Sequence, residues 1–139
     1  MNIKIKLLPG GTVPTRGSRA AAGYDIYAAE DKLIEPFSIE KIRTGICIQM
    51  PPGYFGQIYG RSGLAVRRGL LSVAGTIDAD FTGEINVVIL NVSNGHQKIY
   101  KGNRIAQIVF HRHQIADWVM ADRLEETERG DGGFGSTGI

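Results

Sequence analysis

Glu84-Ile85-Asn86-Val87-Val88-Ile89-Leu90-Asn91-Val92 is the stretch whose reading decides the fold. Its middle is apolar at both parities, the pattern of a central strand covered on two faces. Working outward, Ile42, Thr44, Ile46, Ile48 and Met50 alternate with Arg43, Gly45, Cys47 and Gln49. A period of two over that length marks a half-buried strand. Ile3, Ile5 and Leu7 alternate with Lys4 and Lys6, and Ile105, Gln107, Val109 and His111 alternate with Ala106, Ile108 and Phe110. Turn chemistry separates the runs at Pro9-Gly10-Gly11, Pro51-Pro52-Gly53, Thr82-Gly83, Asn94-Gly95 and Lys101-Gly102-Asn103. Many short strands joined by tight turns predict an all-β sandwich, jelly roll or small distorted barrel. One short helix fits, with Ser62 as its N-cap, Leu64 to Arg68 as its turn and Gly69 as its stop. From Ala121 the pattern dissolves into acidic and then glycine-rich sequence, so residues 1–120 read as the domain and 121–139 as an arm attached to it.

The composition narrows the function classes. At 139 residues, 42% hydrophobic and 22% charged, the chain reads as one ordinary globular domain with room for a core. A net charge of +2 without a basic run gives no reason to expect a nucleic-acid surface. No stretch approaches the ~18 apolar residues of a membrane helix, and the lysine-alternating N-terminus lacks the apolar centre of a signal peptide. The single cysteine, Cys47, excludes an intrachain disulfide and fits a reducing compartment, so the cytoplasm or nucleus is expected.

Five stretches carry possible chemistry. Gly60-Arg61-Ser62-Gly63-Leu64-Ala65 puts a permanent cation, a hydroxyl and a glycine N–H at a helix start, which suits phosphate oxygens. A surface arginine beside an ordinary cap is the equal alternative. In Gly75-Thr76-Ile77-Asp78-Ala79-Asp80-Phe81-Thr82-Gly83-Glu84-Ile85, Asp78 and Asp80 would point the same way on a strand. Such carboxylates can activate water or bind a cation, although simple turn chemistry explains them as well. Asp25, in Ala22-Gly23-Tyr24-Asp25-Ile26-Tyr27, sits in an apolar strand and needs an arginine or a hydrated metal as partner. Gln107, within Arg104-Ile105-Ala106-Gln107, either reaches a ligand or satisfies a backbone neighbour.

The fifth is Arg129-Gly130-Asp131-Gly132-Gly133-Phe134-Gly135-Ser136-Thr137-Gly138. It contains a G-x-G-x-x-G pattern, but only Ile139 follows in this sequence, so the helix such a site requires is missing. Its Arg-Gly-Asp tripeptide reads as coincidence. His111 and His113 lack a third zinc ligand at suitable spacing and read as a surface or rim pair, and Cys47 reads as packing.

In this order and spacing the five stretches resemble the five motifs of the trimeric dUTPase family over nearly the whole chain. The resemblance implies a jelly-roll subunit in a homotrimer, with active sites shared between subunits. It implies hydrolysis of dUTP to dUMP and pyrophosphate with Mg²⁺, and Asp78 as the residue that orients and deprotonates the attacking water. Arg61, Ser62, Gly63 and Gln107 would hold the phosphates, and Asp25 would act through water on the metal. Gly75, Thr76, Ile77 and Asn86 would surround the uracil, and Phe81, where the family usually has tyrosine, would pack beneath the deoxyribose. Arg129, Phe134, Gly135, Ser136 and Thr137 would close over the nucleotide as a lid. Two alternatives share the fold: a dCTP deaminase-like enzyme, and a regulatory or binding protein without turnover.

Overall fold

The computed structural model describes residues 1–133. Among these the chain forms β1 (Lys4–Leu7), β2 (Tyr24–Tyr27), β3 (Lys32–Ile34), β4 (Ile39–Gln49) and β5 (Tyr54–Tyr59). Then come α1 (Ser62–Arg68), β6 (Leu70–Ser72), β7 (Thr76–Ile77), β8 (Glu84–Asn91), β9 (Gln97–Ile99) and β10 (Arg104–Arg112). The strands assemble into two four-stranded sheets, ordered β1-β4-β8-β6 and β2-β10-β5-β7, with β3 and β9 paired separately. Every pairing is antiparallel. This is the all-β class with one short helix that the periodicity predicts, in the jelly-roll form that the resemblance implies.

The core lies between the two sheets. Ile42, Ile46 and Ile48 of β4 and Ile85, Val87 and Ile89 of β8 face Ile26, Ile58, Ala106 and Ile108 of the other sheet. Each fully buried Ile or Val side chain stabilises by about 1.5–3 kcal/mol relative to exposure. Buried Asn91 is the polar exception and is fully satisfied. The two N–H groups of its Nδ2 are shared among the carbonyls of Ile34, Glu35 and Gly95 at 3.2, 3.0 and 2.8 Å, and its Oδ1 accepts from Ser93 N and Oγ.

The decisive stretch differs from its sequence reading in one respect. β8 is central, flanked by β4 and β6, but Ile85, Val87, Ile89 and Asn91 are buried while Asn86, Val88 and Leu90 stay half-buried. A two-layer sandwich covers only one face of each sheet, so a single chain supplies no second cover. β1 forms where the alternation of Ile3, Ile5 and Leu7 places a strand, yet it is exposed along its whole length, because it is an edge strand held only by β4.

A bulge between Arg43 and Ile46 is fixed by Gly45, whose φ of +67° favours glycine. A Cβ there would lie 2.5 Å from Gly11 N. The carboxylate of Glu84 accepts from Gly45 N at 2.9 Å and pairs with Arg43 at 3.2 Å, tying the bulge to β8. Beyond Arg112 the chain leaves the sheets, and Ile115, Trp118, Val119, Met120 and Leu124 are each at least 87% exposed.

Candidate active site

The first cluster is built by β10. Gln107 is paired with Asp25 of β2 on one side and Tyr59 of β5 on the other, so one register brings three motifs together. Asp25 Oδ1 lies 3.1 Å from Arg61 Nε, and Asp25 Oδ2 accepts from Arg104 Nη1 at 3.2 Å. The partner that the sequence demanded for this acid is therefore a pair of arginines. Arg61 Nη1 also donates to the Arg104 carbonyl at 3.3 Å. Gln107 Nε2 donates to the Gly60 carbonyl at 3.3 Å. Gly23 makes room for that side chain, since a Cβ at this position would fall 2.2 Å from Gln107 Oε1.

Helix α1 begins directly behind these residues, with a correction to its start. Arg61, with φ −105° and ψ 127°, is the N-cap residue and makes no side-chain cap. Its carbonyl accepts from Leu64 N at 3.0 Å and Ala65 N at 3.1 Å. The extended backbone runs one residue past the serine's expected boundary, so Ser62 is the first helical residue and its hydroxyl does not cap. Gly69 ends the helix as expected, in the left-handed region with φ +63°.

Around these groups lies a cavity of about 630 Å³ whose lining includes Asp25, Ser62, Gly63 and Gln107. Four arginines, Arg61, Arg67, Arg68 and Arg104, meet a single acid there. Guanidinium forks match the geometry of phosphate oxygens, so the excess of cations suits a polyphosphate. Sequence reasoning assigned no role to Arg67, Arg68 or Arg104. The available signal for Arg104 was its position next to the Gln107 strand, three residues before the glutamine.

The second cluster is the connection from β7 to β8. Asp78 and Asp80 do not lie on a strand: β7 ends at Ile77, and Phe81 N donates to the Asp78 carbonyl at 3.2 Å to close a turn. Both carboxylates are exposed. The sequence Asp-Ala-Asp is turn chemistry and offers no apolar alternation to extend the strand. Gly75 is pressed against β5, its carbonyl accepting from Ile58 N at 2.8 Å, and Thr76 Oγ1 bonds Gln57 Oε1 at 3.3 Å. The Phe81 ring leans on Gly83, where a Cβ would come within 2.9 Å of Cζ. Asn86 lies on the half-buried face of β8, with Nδ2 donating to the Glu84 carbonyl at 3.0 Å.

Asp78 and Thr76 line a cavity of about 1040 Å³ beside Tyr54, Phe55, Gln57 and His113. It shares no lining residue with the arginine cavity. One chain therefore brings Asp25, Arg61, Ser62, Gly63 and Gln107 together, and separately gathers Thr76 and Asp78. Arg129 is exposed, with Nε donating to the Gly132 carbonyl at 3.0 Å. Phe134, Gly135, Ser136 and Thr137 lie outside the described residues. His111 stacks on Phe55 at 5.3 Å, and His113 meets the same ring edge-on at 6.2 Å.

Among the described residues no group of three or more His, Cys, Asp or Glu could hold a metal ion. Asp25 keeps lone pairs for solvent, because Oδ2 accepts one arginine hydrogen bond, Oδ1 makes one ion-pair contact, and a carboxylate offers about four acceptor sites. The donor set therefore fits a hydrated cation held mainly by phosphates, and does not fit one bound directly by protein groups.

Comparison with known proteins gives a consistent outcome. Residues 10–138 match the family described as dUTPase. The chain is 46% identical, over 98% of its own length and 94% of the relative's, to the deoxyuridine 5'-triphosphate nucleotidohydrolase of Saccharomyces cerevisiae. It is 40% identical to the Helicobacter pylori (strain J99) protein of the same name, over 100% of this chain and 98% of that one. A structure of the Staphylococcus bacteriophage 80alpha dUTPase with dUpNHpp superposes with a TM-score of 0.93 at 29% identity, covering 99% of both chains.

Proposed function

The chain belongs to the dUTPase family, and on that premise we propose that it works as a homotrimer hydrolysing dUTP to dUMP and pyrophosphate by attack of water on the α-phosphorus. The observation that carries the reading is the cavity in which Arg61, Ser62, Gly63 and Gln107 surround Asp25 with three further arginines at its wall. Asp78 orients and deprotonates the water, and its exposed turn supports delivery of that carboxylate to a phosphate held elsewhere. Positioning and charge stabilisation dominate phosphoryl chemistry, so the chain's main contribution is alignment.

The remaining parts follow the same division. Arg61, the Ser62 hydroxyl and the Gly63 N–H hold phosphate oxygens, and Gln107 reaches the α-phosphate. Asp25 holds a hydrated Mg²⁺ through water; when bound, that ion neutralises charge on the phosphate oxygens. Gly75, Thr76, Ile77 and Asn86 border the uracil, and the Phe81 ring packs under the deoxyribose and leaves no room for a 2′-hydroxyl. The segment 121–139 acts as an arm and lid, with Arg129 and Phe134 to Thr137 closing over the nucleotide.

Two features support self-association with shared sites. The Asp78 and Arg61 cavities are separate within one chain, so a second copy is needed to join them. The apolar side chains Ile115, Trp118, Val119, Met120 and Leu124 stand in water in an isolated chain, and covering them is favourable at roughly 25 cal/mol per Å². The product supplies dUMP for dTMP synthesis, and removal of dUTP keeps uracil out of DNA. No helix among the described residues is long and apolar enough to cross a membrane; the cytoplasm or nucleus is proposed from the unpaired cysteine.

One experiment tests the whole reading: pyrophosphate release from dUTP, dCTP, dTTP and UTP, with and without Mg²⁺, beside a measured solution mass. Turnover of dUTP alone and a mass of three chains are expected. Ammonia release from dCTP would overturn the assignment in favour of a deaminase.

A further inference from the structure

Two arginines meet one carboxylate at the wall of the phosphate cavity. Asp25 is well shielded, its side chain 13% exposed, with Oδ1 against Arg61 Nε at 3.1 Å and Oδ2 against Arg104 Nη1 at 3.2 Å. Arg61 Nη1 is turned to the Arg104 carbonyl at 3.3 Å. A guanidinium has five N–H donors, and only one Nη1–H of Arg61 is hydrogen-bonded, to the Arg104 carbonyl, while its Nε meets Asp25 as an ion pair. The remaining N–H groups are left for a ligand in the cavity that both arginines line.

This partition depends on Arg104. A carboxylate facing one arginine favours two parallel N–H···O bonds, which would turn a second nitrogen of Arg61 onto Asp25. Arg104 occupies the second oxygen and supplies a second positive charge, while its own carbonyl draws Arg61 Nη1 away from Asp25. We propose that Arg104 is a positioning residue whose charge balances Asp25 and thereby keeps Arg61 available to bind phosphate. The proposal rests on the dUTP reading only in taking phosphate as the anion. It adds a specific dependence: Arg61 serves the ligand because Arg104 satisfies Asp25. A direct phosphate contact from Arg104 is the competing role, and the two roles differ in how losses combine.

The test uses the full chain and the affinity for inorganic pyrophosphate, measured by titration calorimetry without added divalent cation. The variants are Arg61→Ala, Arg104→Ala, the double variant, and Arg104→Ala combined with Asp25→Asn. Each single arginine variant is expected to weaken binding about tenfold, and the double variant to bind no more weakly than Arg61→Ala alone. Adding Asp25→Asn to Arg104→Ala removes the charge that captures Arg61, so part of the lost affinity should return. Multiplying losses in the double variant, unchanged affinity in Arg104→Ala, or no recovery with Asp25→Asn would each overturn the proposal. Thermal melts verify folding, and if Arg104→Ala does not fold, the same cycle is run with Arg104→Gln. Because no turnover is needed, this outcome is separable from that of the dUTP assay on the unaltered chain, which tests the proposed function itself.

Discussion

The cavity around Asp25 and the turn carrying Asp78 are built on opposite principles. Around Asp25, residues from three distant segments are locked by strand register, and Asp25, Arg61, Arg104 and Gln107 each have a protein partner. At Asp78 the chain is a local turn, its carboxylates exposed and engaged in no ion pair among the described residues. The first region gathers four arginines around one acid, which suits an anion; the second leaves its carboxylates open, as the proposed delivery of a base to another chain requires. On the proposed reading, binding and chemistry are held by different parts of the fold, and each can be damaged without the other.

The largest effect expected from this division is loss of chemistry with binding retained. Asp78→Asn preserves the turn's shape and removes the proton acceptor. The rate of pyrophosphate release should fall by about 10³-fold, within the usual contribution of a general base. Affinity for a non-hydrolysable dUTP analogue, measured by calorimetry, should change little. Equal loss of both would mean that Asp78 belongs to the binding half, and the comparison would fail.

Next in size is truncation before Arg129. Neither region contains the removed segment, so the chain should keep its melting temperature and its assembly. Turnover should drop by about 10²-fold, because poor alignment of bound reactants has effects of that order. A truncated chain as fast as the full one would show that the two regions suffice without a lid.

A smaller effect tests the preorganised half directly. Gly23→Ala places a methyl 2.2 Å from Gln107 Oε1 and 3.2 Å from its Cβ, so the glutamine must move. KM for dUTP should rise about tenfold, equivalent to about 1.4 kcal/mol, with kcat less affected. If kcat fell and KM stayed constant, Gln107 would be serving the reaction step more than binding.

Much of this was legible in the sequence, and the exceptions share a cause. Alternation in Ile42 to Met50 and in Glu84 to Val92 located β4 and β8 because a sandwich buries every second residue. The helix stop at Gly69 was legible because left-handed backbone selects glycine. Arg104 as partner of Asp25 was not, since 79 positions separate them and only strand pairing brings them together. The cap moved from Ser62 to Arg61 because backbone extension from β5 outweighs the preference of one side chain. The half-open face of β8 was read as covered because composition records that a face is apolar and carries no record of which chain covers it.

The smallest effect concerns Phe81, at the rim of the exposed turn. Phe81 is 43% exposed and its ring rests on Gly83, so the role proposed for it beneath the sugar is one of shape. Phe81→Tyr adds a hydroxyl beyond the ring edge and leaves the packing surface in place, so kcat/KM for dUTP should change by less than about threefold. Phe81→Ala removes that surface, and the discrimination between dUTP and UTP should narrow, measured as the ratio of their kcat/KM values. A tenfold response to the hydroxyl alone would assign Phe81's position a hydrogen-bonding task. The turn would then hold its ligand by fixed polar contacts, as the Asp25 cavity does, and the contrast between the two regions would weaken at its most exposed point.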